Sequence, residues 1–556
     1  MKKPRRLLLS LVVIGLVMGF SLPAVAEYYT ICGKEISLEG YIRQEFAFNV
    51  NESSDYKTNQ TGLHSAYQIW YLDTGLELNQ NLEARMILRL WGDLIYQLRS
   101  NSDHFDRYFK SSKKNLNWDD DFDQIFREFH ITYSTPKFLL KLGKQQIGWG
   151  EADGLRVMDI INPLDARRDF LFYDTEGFEE VRIPKWMLKT EFYPGNIGPF
   201  LDTAVELYWN PGDIREFGEL LPPMADAHLV GGVYGAWPTG IPKQWGAWGA
   251  PTPFAPLPVR LYKKERATKI DNSEYGTRFK FSCKDTFVTL NYWQGFSTSD
   301  HEVIKFRGLM PDGGGILIPG GPPFPMALAF DRIWKRIKVA GFTLNREIFG
   351  VGNLTGQTAN PVLRAEALYS FDETFNTRES FFPFGPAGPP GMLFKTTDKD
   401  QLRYMVGFDW SMNLKFINPK KSTFVSGQFF HIHTFNYTGG ARALLQLAPY
   451  DWRFPENQFY TTLLIRTEYM NERVVPSILY AQDYHTKAAW VKSKVYFRIG
   501  DHWRPEIGYL WVGRNCDHTQ TQTVPGVGPV TMSDDYKSFG LFEDRDQIWI
   551  RIQYQF

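Results

Sequence analysis

Hydrophobic and polar residues alternate one by one in many segments of this chain. The last ten residues are the clearest case, and one face of that segment carries Ile548, Ile550, Ile552, Tyr554 and Phe556. The opposite face carries three glutamines together with Trp549 and Arg551. A period of two residues predicts a β-strand with one apolar and one polar face.

The same alternation recurs over residues 37–50, 82–94 and 490–499, where charged side chains occupy one face and aliphatic or aromatic side chains the other. In a soluble sandwich, the apolar faces would pack in a core and the charged faces would meet bulk water. In a membrane barrel, the apolar faces contact lipid and the charged faces enclose water. Alternation alone is compatible with both arrangements.

The connections between these segments alternate between short and long, and this distinguishes the two arrangements. Short connections include residues 79–81 and 284–285, whereas long ones include residues 99–123 and 210–272. Short turns at one end and long loops at the other are typical of bacterial outer-membrane barrels. We therefore predict an all-β fold, a single transmembrane antiparallel β-barrel of about 18 strands, with 16 as the alternative, short periplasmic turns and long extracellular loops.

The first 26 residues differ from the rest of the chain. Four cations within the first six residues precede an apolar run from Leu7 to Phe20, and Ala24-Val25-Ala26 forms a small-residue cleavage motif. These are the three parts of a secretory signal peptide. The apolar run is shorter than the roughly 18 residues that a spanning helix needs. We expect cleavage after Ala26, so that residues 27–556 form one barrel in the outer membrane of a Gram-negative bacterium.

Composition narrows the possible partners. The chain has 62 Lys and Arg against 62 Asp and Glu, and loss of the basic leader makes the remainder slightly acidic. This balance argues against nucleic acid as a partner. Aromatic residues make up 16% of a chain whose mean hydropathy is −0.33. Such rings exclude disorder and favour the lipid headgroup boundary. We expect contact with outer-membrane lipid and with the barrel-assembly machinery, for which the terminal Phe556 is the predicted assembly signal.

Cysteine and histidine usage predicts neither a cofactor nor a metal site. The three cysteines, Cys32, Cys283 and Cys516, contain no C-x-x-C spacing, and we expect no intramolecular disulfide. The chain has no C-x-x-C-H motif for covalent attachment of c-type haem. His431 and His433 lie two residues apart, on one face of a strand, but no cysteine or carboxylate cluster nearby in the sequence completes a metal site.

The most distinctive stretch runs from Gly143 to Glu151, Gly-Lys-Gln-Gln-Ile-Gly-Trp-Gly-Glu, and Ile-Asn-Pro-Leu-Asp follows at residues 161–165. It resembles a family of Gram-negative outer-membrane β-barrel proteins that carry a W-G-E … I-N-P-x-D segment. This family is uncharacterised and is described as a domain of unknown function. The resemblance is best over residues 141–213, and Ala152 stands where the family is expected to carry a small hydroxyl residue. What the resemblance implies is an outer-membrane location and a barrel fold, without a substrate or an activity.

This stretch leaves a strand and enters a long loop that contains both acidic and basic side chains. Loops that fold into a barrel narrow its lumen, and opposed charges there create a transverse field. An alternative is a salt-bridged loop that only holds the mouth of the barrel together. The candidate constriction residues are Trp149, Glu151, Asp153, Asp159, Asn162, Asp165, Arg167 and Arg168.

The charged faces of the predicted strands supply a second set of candidate residues, which would line the lumen. These are Arg43, Glu45, Arg85, Arg89, Asp93, Arg364, Glu366, Lys492, Lys494, Arg498 and Arg551. Charges of both signs would keep a wide wall hydrated through cross-strand ion pairs, and a modest basic excess would favour anionic solutes.

These features lead to one functional hypothesis and two alternatives. The leading hypothesis is an outer-membrane channel or transporter, porin-like, that passes an unidentified solute without covalent chemistry and is therefore not an enzyme. Selection would depend on aperture, lumen charge and loop contacts. The first alternative is a non-conducting barrel with partners in an envelope export or lipid-transfer assembly. The second is an outer-membrane hydrolase.

Overall fold

The computed structural model describes most of the chain from residue 27 onward. The described ranges are 27–31, 33–51, 61–98, 118–119, 122–164, 179–213, 259–262, 270–297, 303–316, 324–333, 335–377, 396–438, 444–445, 455–485, 487–514, 519–524, 528–533 and 546–556.

Eighteen antiparallel strands form the barrel, and each pairs with its neighbours along the chain. The strands are β1 Lys34–Asn49, β2 Gly62–Asn79, β3 Leu82–Asp93, β4 Phe126–Thr135, β5 Phe138–Gln145, β6 Lys185–Ile197, β7 Phe200–Asn210, β8 Glu274–Cys283, β9 Thr286–Phe296, β10 Arg336–Glu347, β11 Val362–Thr377, β12 Thr396–Met412, β13 Thr423–Thr434, β14 Asn457–Arg466, β15 Val474–Asp483, β16 Ala488–Phe497, β17 Glu506–Arg514 and β18 Gln547–Gln555.

The sheet closes on itself between its first and last strands. β1 pairs with β2 on one side and with β18 on the other, where Tyr41 lies opposite Gln555 and Asn49 opposite Gln547. β18 in turn pairs with β17. Closure lets strands satisfy each other's backbone groups and leaves no open sheet edge in the ring. The prediction of eighteen strands in one antiparallel barrel is therefore confirmed.

The two faces of the wall have opposite character. On β18, Gln547, Trp549 and Arg551 are at most 9% exposed, whereas Ile548 and Ile550 are about 40% exposed. The polar face is thus the buried, inward face, and the apolar face points out of the barrel. A sandwich would bury its apolar faces instead. This inverted burial excludes the sandwich that alternation alone left open.

Shorter elements accompany the barrel. The helices are Ile95–Leu98, Phe122–Ile125 and Val351–Thr355, with a 3-10 helix at Ile270–Asn272. Among the described residues, no helix combines the length and the hydrophobicity that crossing a membrane requires. The strands outside the ring of eighteen are Glu27–Ile31, Val259–Tyr262, Val303–Ile316, Phe324–Ile333, Leu444–Leu445, Thr519–Val524 and Gly528–Ser533.

The two ends of the barrel differ in the length of their connections. β2 and β3, β4 and β5, and β8 and β9 are each joined by two residues at one end, which we call the turn end. The opposite end, the loop end, carries connections such as residues 146–184 and 211–273. One link at the loop end, residues 484–487, is short. Cys283 closes β8 as a free thiol, while Cys32 and Cys516 lie outside the described residues, so the prediction about disulfides stays a prediction.

Candidate functional site

Residues 146–164, here called the crossing loop, leave β5 and fold into the barrel. Four of its side chains, Ile147, Trp149, Met158 and Ile161, are at most 3% exposed. They form one apolar cluster with inward-facing side chains of the wall. These wall residues are Met187, Tyr208, Trp293, Ile337, Val339, Leu368, Met405 and Phe430. An apolar patch on an otherwise polar inner wall thus holds the loop inside the lumen.

Trp149 anchors the near side of the crossing loop. Its indole Nε1 donates a 2.8 Å hydrogen bond to Oε1 of Glu206 on β7, and its ring meets that of Tyr208 edge-on at 6.1 Å. The ring also fills the space beside Gly276 of β8, where a β-carbon would lie 2.7 Å from Cη2 of Trp149. Glu206 is further held by Lys280 at 2.9 Å. A buried indole therefore has both its polar and its apolar parts satisfied.

The loop continues to β10 and β11, where one carboxylate receives two of its backbone N–H groups. Glu366 accepts hydrogen bonds from the N–H of Glu151 and, at 3.1 Å, from the N–H of Met158. Arg364 donates to the carbonyl of Glu151 at 2.7 Å, and Asn345 donates to its carboxylate. Side chains of the wall thereby satisfy buried backbone groups of the loop that would otherwise be costly.

Asp153 fastens the loop to the far wall. Its Oδ2 accepts hydrogen bonds from Arg364 at 2.5 Å and from Gln428 of β13 at 2.7 Å. The next residue, Gly154, lies against Thr462 of β14, since a β-carbon there would be 2.5 Å from Cγ2. β14 is nine strands from β5 in either direction around the ring of eighteen. The loop therefore reaches the wall diametrically opposite its origin and crosses the lumen.

Asn162 ties the two ends of the crossing loop together. Its Oδ1 accepts the N–H of Ile147 at 2.8 Å, and its Nδ2 donates to the carbonyl of Ile183 at 2.8 Å. The Asn162 side chain is fully buried. Asp159 adds an ion pair with Arg182 at 2.8 Å. The I-N-P stretch thus contributes an asparagine that closes the base of the loop.

The segment that returns to the wall is bound on another side of the barrel. Glu180 accepts hydrogen bonds from Tyr41 at 3.0 Å and from Arg43 at 2.9 Å, both on β1. Arg89 of β3 donates to the carbonyl of Glu180. Residues 146–164 and 179–183 together therefore contact the wall on β1 and β3, on β7 and β8, and again on β10 to β14.

Three of the predicted lumen residues, Glu45, Lys494 and Arg551, belong to one ion-pair network on the inner face. Arg551 contacts Glu45 at 2.6 Å and Glu506 at 3.5 Å, and Lys494 contacts Glu506 at 3.0 Å. Lys492 is buried on the same inner face. The charges alternate across adjacent strands, which is the arrangement that stabilises cross-strand pairs.

Three predicted lumen residues lie at the rims of the wall. Arg85 pairs with Asp73 at 2.5 Å near the turn end. Asp93 ends β3 at the loop end, where its Oδ1 accepts two backbone N–H groups. Arg498 follows the last residue of β16 and pairs with Glu472 at 3.4 Å, both side chains being 45% exposed. Arg498 is thus part of a turn, because the strand has already ended at Phe497.

Three predicted constriction residues, Asp165, Arg167 and Arg168, lie outside the described residues. Conversely, sequence reasoning missed Glu180 and Gln428, which hold the loop. Alternation could have placed Gln428 on an inner face, but nothing in its neighbourhood along the chain identifies its partner Asp153. Within the described ranges, no group of three or more His, Cys, Asp or Glu side chains is arranged to hold a metal ion.

Comparisons with known proteins identify the family of this chain. A family model described as "Protein of unknown function (DUF1302)" matches residues 47–556. A search of curated proteins finds no match. Similar solved structures include outer-membrane expressed OmpT of Vibrio cholerae, at 9% identity and a TM-score of 0.36, covering 95% of this chain and 100% of that chain.

Two further solved structures have the same kind of likeness. OccK1 (OpdK) of Pseudomonas aeruginosa shares 7% identity at a TM-score of 0.40, covering 94% of this chain and 98% of that chain. An anion-selective porin from Comamonas acidovorans shares 9% identity at a TM-score of 0.35, covering 94% of this chain and 100% of that chain. Likenesses this low transfer no solute or selectivity to this chain.

Proposed function

This chain belongs to the DUF1302 family of proteins of unknown function, and from the geometry of its own barrel we propose that it is a channel through which a small polar solute crosses the outer membrane. The observation that carries the proposal is the crossing loop. It extends from β5 to the opposite wall and is held there by Glu366, Arg364 and Gln428. A fixed loop across a polar lumen narrows a passage and places charges along it.

The outer surface supports a membrane location for this channel. Leu142, Leu290 and Ile478 are about half exposed on the outward face of three separate strands. Acyl chains cover such an apolar band in an outer-membrane barrel. We place the turn end in the periplasm and the loop end outside the cell, after export directed by residues 1–26.

Selection would follow from the charges that the crossing loop brings into the lumen. Glu151 and Asp153 lie on the loop, and Arg364 contacts both of them from the wall. Opposed charges across a narrow passage orient a dipolar solute and discriminate between ions. No covalent reaction is part of the proposal.

The alternatives make different predictions for a purified barrel. A non-conducting component of an export or lipid-transfer assembly would seal a planar bilayer and co-purify with envelope partners. A hydrolase would cleave an ester or peptide in detergent. The carboxylate of Asp153 on the crossing loop favours the channel, because its side chain is about half exposed and would meet water or a solute in the lumen.

Conductance of the whole refolded protein in a planar bilayer tests the proposal. We expect discrete channel openings, a larger conductance for Glu151→Ala combined with Asp153→Ala, and a changed ratio of cation to anion permeability. The matched control is Glu472→Ala, which removes an exposed carboxylate in a turn outside the lumen and should leave both quantities unchanged. Absence of conductance, or identical values for both variants, would contradict the proposal.

A further inference from the structure

Arg278 is a buried cation on the inner wall that makes no hydrogen bond or close ion pair with a described residue. It lies at an inward position of β8, opposite Glu206 of β7 and Asn291 of β9, and is 9% exposed. Its Nε is buried and makes no hydrogen bond, and no hydrogen bond or ion pair of its guanidinium to a described residue is found. A buried charge without a partner is costly, so such a group indicates a site that binds something.

Two unsatisfied acceptors lie on the next two strands. Oδ1 of Asn291 on β9 and Oδ1 of Asn345 on β10 are buried and accept no hydrogen bond from the described residues. The amide nitrogens of both are used, by donation to Thr289 and to Glu151 respectively. Three adjacent strands therefore present one cationic donor and two neutral acceptors on the same inner wall.

Arg278 and Asn291 lie beside the crossing loop, and Asn345 contacts the loop directly through the carboxylate of Glu151. Gly276 contacts Trp149 of the loop, and Arg278 is the next inward residue of β8 toward the turn end. Likewise Gly341 contacts Met158 of the loop, and Asn345 lies two inward positions further along β10. A solute that moves through the lumen beside the loop would meet these side chains.

The carboxylates near Arg278 are already engaged by other donors. Glu206 is bound by Trp149 and Lys280, and Glu366 is bound by backbone N–H groups of the crossing loop. Glu151 is bound by Asn345, and Glu191 is bound by Lys280. All four carboxylates lie close enough to Arg278 for an electrostatic interaction, which stabilises the charged guanidinium, but none of them hydrogen-bonds it. The donors of its planar guanidinium are therefore not used by these carboxylates.

We propose that Arg278, Asn291 and Asn345 form a binding site for a hydroxylated carboxylate, the class of the sugar acids. The inference rests on the channel function proposed above and names the solute class of that channel. A carboxylate matches the fork of donors on a guanidinium, and hydroxyl groups donate to amide oxygens. A neutral sugar lacks the first feature, and a simple fatty acid anion lacks the second.

Flux of gluconate and of glucose through the full-length protein in liposomes tests the site. Both probes are six-carbon polyols, and only gluconate carries a carboxylate. For the unmodified protein we expect gluconate flux to saturate and glucose flux to rise linearly with concentration. Arg278→Gln should raise the half-saturating gluconate concentration at least about tenfold and leave glucose flux unchanged. Arg278→Lys, which keeps the charge and loses the planar fork, should also weaken saturation.

A second variant separates binding from folding. Asn291→Ala keeps Arg278 and removes one acceptor, so it should weaken gluconate saturation and leave butyrate flux unchanged, because butyrate carries no hydroxyl donors. Linear gluconate flux through the unmodified protein, or the same half-saturation for Arg278→Gln, would overturn the binding site while glucose flux still supports the channel. Absence of flux for both probes would instead overturn the proposed function.

Discussion

Phe556, the last residue, and Gly40 of β1 exchange backbone hydrogen bonds: the N–H of each donates to the carbonyl of the other at 2.9 Å. The Phe556 ring occupies the space that a side chain at position 40 would need, since a β-carbon there would lie 2.7 Å from its Cζ. The same ring packs with Leu72 and Leu88. The seam between the first and last strands therefore ends where the Phe556 ring packs against Gly40, Leu72 and Leu88.

Phe556→Ala should destabilise this seam. Loss of a ring that is 9% exposed removes about 2–3 kcal/mol of apolar burial. We expect a lower midpoint of urea unfolding in detergent micelles and slower refolding into lipid, because closure of the barrel depends on this strand pair. Phe556→Leu is the matched control, since it keeps an apolar side chain of intermediate size. Its unfolding midpoint should lie between those of the unmodified protein and Phe556→Ala. Equal midpoints for all three proteins would contradict the assigned role of the ring.

The buried ion pair of Lys185 and Glu274 should behave differently from an exposed pair. Their Nζ and Oε2 atoms are 2.7 Å apart, and each side chain is 1% exposed. Removal of one partner leaves the other charge buried, so Lys185→Met should cost about 3–5 kcal/mol of unfolding free energy. The double variant Lys185→Met with Glu274→Gln should recover most of that loss. The measurement is urea unfolding, monitored by tryptophan fluorescence.

The exposed pair of Lys421 and Glu472, at 3.1 Å, supplies the control for that experiment. Its side chains are nearly half exposed, and solvent screens such pairs. Lys421→Met should therefore leave the unfolding midpoint unchanged. If Lys185→Met and Lys421→Met had the same effect, burial would not be what determines the contribution of the Lys185 pair.

The barrel itself could be predicted from the sequence because its signal is local. Residues 547–556 show the alternation of an apolar and a polar face within ten positions. The strand count follows from such segments together with the short and long connections that separate them. Contacts of the crossing loop were not predictable in the same way. Asp153 meets Gln428, which is 275 positions away, and Glu151 meets Glu366, which is 215 positions away. Only the closed ring of strands brings these pairs together.

A larger residue at Gly276 should displace the Trp149 ring from the wall. Gly276→Val places methyl groups where the indole lies, and such overpacking costs about 1–3 kcal/mol. Because Trp149 anchors the near side of the crossing loop, we expect a larger single-channel conductance. Planar-bilayer recording of the refolded variant provides the measurement.

Gly508 offers a matched control, since it stands in the same relationship to another inward tryptophan. A β-carbon at Gly508 would lie 2.0 Å from Cζ2 of Trp549, whose Nε1 donates to Glu506 at 2.9 Å. Trp549 belongs to the wall and not to the crossing loop. Gly508→Val should therefore reduce stability without raising conductance. A rise in conductance for both variants would show that general loosening of the wall is responsible.

Asn162 should determine whether the crossing loop keeps a fixed position. Asn162→Ala leaves the N–H of Ile147 and the carbonyl of Ile183 without this partner, at about 1–3 kcal/mol for each buried group. Since these bonds join the two ends of the loop, their loss should increase current noise and expose residues 146–164 to protease. Asn162→Asp retains the acceptor for Ile147 but buries a carboxylate against the carbonyl of Ile183, so its effect should be at least as large as that of Asn162→Ala. Mass spectrometry of the cleavage products locates the cut. If residues 146–164 were as resistant to protease in Asn162→Ala as in the unmodified protein, the role assigned to Asn162 would be contradicted.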